Sequence, residues 1–214
     1  MPKKILIVVG HYLPGFNSGG ILRSVVNTVD HLSDEFEFFV LTRDHDLGVS
    51  DAYKNIQNGQ WQEVGNANVY YLDKKATSFS KLCTLINSTS CDCIQLNSFF
   101  DTLSIKVNLA MKFGFLKKKP ILISPRGEFA KASFDIKLFK KMFFVKIVKF
   151  LDFYSGSCWH VSSDLEQSDL IDKMSVEDSK VIVAKDLPVK INTYDSSFTK
   201  TDFYEDTLKI IFLS

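Results

Sequence analysis

The sequence predicts an α/β protein built on a doubly wound, Rossmann-like parallel sheet. Short apolar runs of strand length alternate with segments of helical periodicity along most of the 214 residues. The run at residues 4–9 is apolar almost throughout, as expected for a parallel strand covered on both faces. A composition of 45% hydrophobic and 24% charged residues is that of a globular chain.

Strands and helices can be assigned in order along the chain. Seven strands are predicted, at residues 4–9, 37–42, 68–72, 93–96, 120–124, 158–161 and 180–183. Helices are predicted where apolar residues recur every three to four positions, at residues 21–32, 78–87, 103–113, 135–154 and 163–174. Residues 43–65 are polar and irregular, and we expect an elaborated loop there. Helices between successive strands imply βαβ units and hence a parallel sheet.

The composition changes towards the end of the chain. We expect residues 1–191 to form one complete domain. Residues 192–207 are rich in Thr, Ser and Asp, which is typical of a linker. Residues 208–214 are again strongly apolar, and we expect them to be the first strand of a second domain whose remainder is missing or truncated.

Charge and cysteine content exclude several classes of function. The 26 Lys and Arg residues nearly balance the 25 Asp and Glu residues, so we expect no nucleic-acid partner. The chain contains no uncharged apolar run of 18 residues, and its first apolar run is too short for a typical signal peptide, so a cytoplasmic location is expected. The four cysteines lack metal-ligand or redox spacing, and we expect neither a metal nor a disulfide.

The loops beyond the carboxyl ends of the strands are where such sheets bind ligands. Gly19 and Gly20 precede the first helix, whose N-terminal N–H groups favour an anion such as a diphosphate; a plain tight turn is the alternative. The three arginines, Arg23, Arg43 and Arg126, each follow a predicted strand, and ion pairing within the chain is the alternative role for each.

Other residues of these loops are weaker candidates. His11 and Tyr12 precede the glycine pair and could contact an acceptor, although a loop histidine is more often simply solvated. Glu128 is a possible carboxylate of the crevice, but nothing in the sequence establishes it as a general base. We expect His160, at the end of a strand, to be packed and hydrogen-bonded rather than catalytic.

Four segments occur in the order and spacing of a known enzyme family. They are Pro14…Gly19-Gly20-Ile21…Ser24, Ser124-Pro125-Arg126-Gly127, Trp159-His160-Val161-Ser162-Ser163…Glu166 and Lys209-Ile210-Ile211-Phe212-Leu213-Ser214. Together they resemble group 4 glycosyltransferases with the GT-B fold. In the third segment the spacing of Ser163 and Glu166 also predicts a capping box at the start of a helix.

The resemblance implies that the chain is the N-terminal, acceptor-side half of a GT-B architecture, with a nucleotide-sugar donor bound mainly by a second domain. It implies retaining, metal-independent transfer without a cofactor, for a bacterial surface polysaccharide or a lipid-linked glycan. The cleft for the donor diphosphate and the acceptor would be lined by Gly19, Gly20, Arg23, His11, Tyr12, Arg126 and Gly127. The catalytic residues stay unknown, with Arg126 and Glu128 as candidates.

Two departures from the family pattern matter. Many members place a histidine just after the fifth strand, where this chain has Ser124-Pro125-Arg126, and the usual Asn-Gly near the end of the domain is replaced within residues 184–188. We expect the isolated chain to be inactive. Two alternatives stay open: a non-catalytic acceptor-binding subunit that pairs with a separate donor-binding chain, and a sugar-nucleotide epimerase of similar architecture.

The segment 117–149 is strongly basic, with ten Lys or Arg residues against Glu128 and Asp135. An apolar stripe that we assign to the domain core recurs here at helical spacing: Ile136, Phe139, Phe143, Ile147, Phe150 and Tyr154. Met142, Phe144, Val145 and Val148 lie outside this stripe and between lysines.

This second apolar set suggests that the protein binds peripherally to the anionic inner face of the cytoplasmic membrane. The candidate residues are Lys137, Lys140, Lys141, Phe144, Val145 and Lys149. Burial against a neighbouring loop or against the missing domain is the alternative.

Overall fold

The computed structural model describes residues 2–190, so the predicted linker at 192–207 and the predicted strand at 208–214 lie outside the described residues. Within this range the strands are β1 Lys3–Val8, β2 Phe36–Arg43, β3 Trp61–Val64, β4 Ala67–Leu72, β5 Cys93–Asn97, β6 Ile121–Ser124, β7 Ser157–Val161 and β8 Val181–Val183. The helices are α1 Gly19–Leu32, α2 Phe79–Ser88, α3 Thr102–Lys112, α4 Lys131–Asp135, α5 Leu138–Phe150 and α6 Asp164–Met174.

All these strands form one sheet in the order β3-β4-β2-β1-β5-β6-β7-β8. Every pairing is parallel except that between β3 and β4, which is antiparallel. The order runs outwards from β1 in both directions, which is the doubly wound arrangement. The predicted fold class is therefore confirmed.

Strand β3 lies within the segment that we expected to be an irregular loop. It pairs with β4 through a two-residue turn, because Val64 faces Ala67 in the register and Gly65 and Asn66 connect them. Gly65 has a φ of +59°, a conformation that glycine adopts without a steric penalty. The expected loop is thus shorter than predicted, and a hairpin closes this edge of the sheet.

The sheet separates two apolar clusters. Helix α1 packs on one face, with Leu22, Val25 and Val29 against residues such as Ile7 and Val40. Helices α2 to α6 contribute to the cluster on the other face, which Leu6 and Val8 of β1 reach because successive strand residues point in opposite directions. The loops above the carboxyl ends of the strands are therefore anchored by packed helices on both faces of the sheet.

Phe99, in the loop between β5 and α3, is at the centre of the larger cluster. Its ring centroid lies 4.8–5.9 Å from those of five other aromatic residues, and the side chain is 1% exposed. The partners are Phe100, Phe129, Phe144, Tyr154 and Trp159. This packing fixes the β5–α3 loop directly below the carboxyl edge of the sheet.

The helix predicted over residues 135–154 is shorter, since α5 spans only Leu138–Phe150 and a separate short helix, α4, ends at Asp135. The chain turns between them at Lys137, whose φ of +61° is left-handed and incompatible with a continuing α-helix. The core assignment for the apolar stripe is also wrong for most of its members. Phe139 and Phe150 are each 88% exposed, Phe143 is 68% exposed, and Ile136 and Ile147 are exposed as well.

The opposite side of α5 packs against the sheet instead. Val145 and Val148 are buried, and the Phe144 ring contacts Phe99. Val145 is therefore not accessible to a membrane, and Phe144 is packed against the core and only partly exposed, which corrects their place among the membrane candidates. The physical reason is that α5 carries two apolar strips, and the side with the two valines is the one that fits against the cluster around Phe99.

Candidate functional site

A crevice opens above the carboxyl ends of β1, β5 and β6. It consists of two adjoining cavities of about 410 and about 160 Å³ that share Ser18 and Ile21 at the start of α1. The larger cavity is also lined by Gly20, Arg126, Gly127, Ser162 and Asp186. The smaller is also lined by Val9, Gly10, His11, Leu47, Asn97, Ser98 and Asp101. The structure thus brings together Gly20, His11, Arg126 and Gly127, which the sequence had placed on separate loops.

The glycine loop enters the crevice at the N-terminus of α1. Gly19 has a φ of +54°, and a Cβ atom on Gly19 or Gly20 would meet nothing within 4 Å, so the backbone is open to a ligand there. Ser18 occupies the N-cap position, but its side chain makes no capping bond. The first N–H groups of α1 therefore face the crevice without the usual side-chain acceptor.

Arg126 is the principal cation of the crevice. Its backbone has a φ of +57°, and its side chain is only 7% exposed. The guanidinium donates from Nε and Nη2 to Asn97 Oδ1, at 3.2 and 3.0 Å, and from Nη1 to Asp186 Oδ1 at 2.5 Å. An arginine has five N–H donors, so these bonds leave one on Nη1 and one on Nη2 for a ligand.

Two buried polar atoms next to Arg126 lack a partner among the described residues. They are Asn97 Nδ2 and Ser18 Oγ, and Asn97 itself is fully buried. Asn97 Oδ1 is occupied by Arg126, which directs the amide nitrogen away from the guanidinium. A buried donor without a partner is costly, so both atoms mark a place where a polar ligand would be stabilised.

A buried carboxylate joins the two loops behind Arg126. Glu166 Oε1 accepts the Gly127 N–H at 2.6 Å, and its Oε2 accepts the N–H and Oγ of Ser162 at 2.7 and 2.9 Å. Ser163 Oγ accepts the Glu166 N–H, as the predicted capping box requires. In a capping box the Glu166 side chain would accept the N–H of Ser163, but here it accepts that of Ser162, one residue earlier. Because it also accepts the Gly127 N–H, Glu166 connects the Arg126 loop to the start of α6.

Glu128 lies below the crevice rather than in it. Its carboxylate accepts hydrogen bonds from Ser98 Oγ at 2.5 Å and from the Phe99 and Phe100 N–H groups at 2.5 and 3.3 Å. Burial raises the pKa of Glu128, although these donors oppose the shift. In this position Glu128 anchors the β5–α3 loop.

His11 and Tyr12 have different environments although they are adjacent. His11 lines the smaller cavity, and its Nδ1 donates to the His45 carbonyl at 2.8 Å, which leaves Nε2 as the acceptor nitrogen. Burial lowers the pKa of His11 although that hydrogen bond opposes the shift. Tyr12 is 1% exposed and packs in the α1 cluster. The prediction that Tyr12 lines the cleft is therefore corrected, because its side chain points into the core.

The other two arginines, Arg23 and Arg43, do not line either cavity of the crevice. Arg43 forms a two-pronged ion pair with Asp101, at 2.9 and 3.2 Å, which is the alternative role that we considered for it. This pair packs over Gly10, where a Cβ atom would lie 2.7 Å from Arg43 Nη1. Arg23 is exposed on α1. His160 is hydrogen-bonded to Ser124 Oγ and to the Ala184 carbonyl, as expected.

Asp186 belongs to residues 184–188, which the sequence marked only as a departure from the family pattern, with no site role for Asp186. Residues 184–190 cross from β8 to α1, where Asp186 accepts the Ser24 hydroxyl at 2.6 Å and Asn27 donates to the Leu187 carbonyl. Asp186 therefore connects this segment, α1 and Arg126. Asn97 was missed too, although a polar residue at the carboxyl end of an apolar strand was a usable signal.

Among residues 2–190, no group of three or more His, Cys, Asp or Glu side chains could hold a metal ion. No helix in this range is long and apolar enough to span a bilayer.

Neither a protein-family model nor a curated protein sequence matches the chain. Solved structures do. A glycosyltransferase from Rickettsia africae ESF-5 superposes with a TM-score of 0.50 at 13% identity, covering 86% of this chain and 43% of that chain. MnaA from S. aureus, in a co-structure with UDP, gives a TM-score of 0.45 at 14% identity, with 85% of this chain and 44% of that chain covered.

The likeness to the Rickettsia protein supports the fold, with its Rossmann-like sheet. The chain spans less than half the length of that glycosyltransferase. At this identity a shared fold does not carry a shared reaction, since one fold hosts many functions.

Proposed function

We propose that this chain is the acceptor-side, N-terminal domain of a retaining, nucleotide-sugar-dependent glycosyltransferase of the group 4 type. The observation that carries the proposal is the crevice itself. Arg126 has two N–H donors to spare, and Asn97 Nδ2 and Ser18 Oγ are buried without a partner in the described part of the chain. A sugar diphosphate or a glycan hydroxyl group offers the oxygen acceptors that such donors need.

The roles of the residues follow from their positions. The N–H groups at the open N-terminus of α1, at Gly19 and Gly20, would donate to a diphosphate oxygen, and Arg126 would offset the negative charge that builds on the leaving group. His11 Nε2 would accept a hydrogen bond from an acceptor hydroxyl. The nucleotide would be held by a second domain, since the chain spans only 43% of the Rickettsia glycosyltransferase. The 214-residue chain alone would then be inactive.

The acceptor would be a bacterial surface polysaccharide or a lipid-linked glycan, and the protein would work at the cytoplasmic face of the membrane. No metal or cofactor takes part in this proposal. Two observations support a glycosyltransferase that works at the membrane: the basic character of residues 117–149, and a fold that a glycosyltransferase also uses.

The test is consumption of a nucleotide sugar. The complete gene product is incubated with UDP-, GDP- and dTDP-sugars and a glycolipid extract, and release of the nucleoside diphosphate is measured. We expect release with one donor class, and a fall of about a hundredfold or more in Arg126→Ala. Lys185→Ala is the matched control, since it removes an exposed cation next to Asp186. No release with any donor would reject the proposal, and transfer by the 214-residue chain alone would reject its division of labour.

A ligand measurement on the 214-residue chain tests the crevice separately. Inorganic pyrophosphate, followed by NMR of the backbone amides, should shift Gly19, Gly20 and Gly127. Arg126→Lys should weaken this binding about tenfold, because lysine lacks the planar fork. Shifts confined to surface lysines would contradict the assignment.

A further inference from the structure

The outer face of α5 is apolar and points away from the domain. Phe139, Phe143, Ile147 and Phe150 follow one another at steps of four, four and three residues, so they form a single ridge, and all four are exposed. Three phenylalanines of one helix with exposures of 68–88% are unusual on a water-facing surface.

The ridge is not a core face that happens to be turned outwards. On the opposite side of the helix, Val145 and Val148 are buried, and Phe144 contacts Phe99 and Phe100 with ring centroids 5.5 and 5.9 Å apart. The helix can therefore not rotate to bury the ridge without exposing this second apolar strip. The domain is packed with the ridge on the outside.

The charges on α5 itself are all of one sign. Leu138–Phe150 contains four lysines and no acidic residue. Lys140 and Lys146 are exposed, and the 100° rotation per residue places them on the two sides of the ridge. Lys141 and Lys149 are used within the domain, where their ammonium groups donate to the carbonyls of Ser133 and Lys173.

The apolar surface extends beyond α5. Phe113, at the end of α3, is 65% exposed, and its ring lies 6.0 Å from that of Phe153 just after α5. On another side of the helix, a cavity of about 710 Å³ has the apolar residues Phe134, Leu138 and Met142 in its wall. The same wall carries both signs of charge, with Lys146 and the aspartates Asp135, Asp169 and Asp172.

We propose that the outer face of α5 docks onto a bilayer that contains anionic lipid. The four ridge residues enter the boundary between headgroups and acyl chains, and Lys140 and Lys146 lie among the lipid phosphates. A bilayer meets both demands at once, since it offers apolar chains below a layer of negative charge. A second copy of the chain does not, because a two-fold contact through this helix would bring lysines of both copies together with no acid on α5 to pair with them.

This inference deepens the proposed function by naming the partner surface, and it rests on that function only for its biological purpose. The docking itself needs no substrate. It keeps Lys140 from the membrane candidates drawn from the sequence, but the inserting residues are now four members of the stripe that the sequence assigned to the core, in place of Phe144 and Val145.

The experiment is flotation of the 214-residue chain with phosphatidylcholine vesicles that contain or lack phosphatidylglycerol. We expect binding to the anionic vesicles, weakened by high salt. The triple variant F139S/F143S/F150S should lose at least about tenfold in partitioning. Each of Lys140→Gln and Lys146→Gln should lose about fivefold. Leu165→Ser, at an exposed apolar position on α6, is the matched control and should bind like the parent chain.

A second readout separates insertion from simple adsorption. Phe143→Trp should be quenched by brominated anionic lipid. The parent chain should be quenched little, because its Trp61 is on the far edge strand β3 and its Trp159 is only 1% exposed. The proposal is overturned if the parent chain ignores anionic vesicles, or if the triple variant binds as well as the parent. It is also overturned if the parent chain is a dimer in solution that the triple variant dissociates. Nucleotide-sugar consumption is measured apart from these assays, so either proposal can fail without the other.

Discussion

Replacing Glu166 with glutamine tests whether this carboxylate holds together the two loops behind Arg126. Glu166 is 7% exposed and receives three hydrogen bonds, one from Gly127 and two from Ser162. A glutamine keeps one acceptor oxygen, which can serve Ser162. Its amide nitrogen then faces the Gly127 N–H, so that a donor meets a donor.

The structure sets the size of the effect. A hydrogen bond to a charged acceptor contributes about 1.5–3 kcal/mol, so Glu166→Gln should lower the free energy of unfolding by about 2 kcal/mol. Glu166→Ala removes every bond and should cost about 4 kcal/mol. In a domain of this size these losses correspond to falls in Tm of about 4–8 °C and about 8–16 °C.

The assay is urea denaturation followed by circular dichroism, with Asp164→Asn as the control. Asp164 is an exposed acid in the same first turn of α6, so its variant measures the helix-dipole contribution alone, about 0.3–1 kcal/mol. The reasoning is refuted if Glu166→Gln costs no more than Asp164→Asn, or if it costs as much as Glu166→Ala.

Three further predictions concern the crevice and the core below it. Asp186→Asn should tighten pyrophosphate binding about threefold to tenfold in a calorimetric titration at low salt, because Arg126 loses a competing carboxylate; an unchanged affinity would mean that the two do not compete. Burial raises the pKa of Glu128, so the stability that its protonated form contributes is complete below the unfolded-state pKa and is lost as the pH rises through the folded-state pKa. Glu128→Gln has no such loss, so the difference in urea midpoint, variant minus parent, should become more positive as the pH is raised from about 4 to about 7. A difference that does not change with pH would contradict this. Phe99→Ala should cost about 3–5 kcal/mol of unfolding free energy and Phe99→Leu about 1 kcal/mol, and an alanine cost below about 2 kcal/mol would show that this ring is not central to the core.

The sheet was largely predictable because its strands are buried on both faces. Such strands are continuous apolar runs, and β1, β2, β5 and β6 were placed to within about two residues. Strand β3 was missed because it is an antiparallel edge strand with only partly buried side chains, so no apolar run marks it. Its signal was the Gly65-Asn66 pair between Val64 and Ala67.

The crevice was predictable in part, and for a similar reason. The rule that ligands bind beyond the carboxyl ends of strands located the Gly19–Gly20 loop and Arg126 on one edge. The partners of Arg126 are 29 and 60 residues away in sequence, at Asn97 and Asp186. No local pattern encodes a contact over such distances, and only the fold shows that the amide nitrogen of Asn97 has no partner among residues 2–190.

Helix α5 shows where periodicity stops being informative. A hydrophobic repeat indicates that a helix has an apolar face, and it indicates the core only when the remaining faces are polar. Leu138–Phe150 has apolar residues on both sides of its axis, with Phe139 and Phe143 on one and Val145 and Val148 on the other. The choice between them was made by fit, because two valines allow the helix to approach the aromatic cluster of Phe99 more closely than a row of phenylalanines would. A sequence with two apolar faces and lysines between them therefore predicts two contacts for the helix, one with the domain and one with something outside it, and the larger side chains are the ones left for the outside.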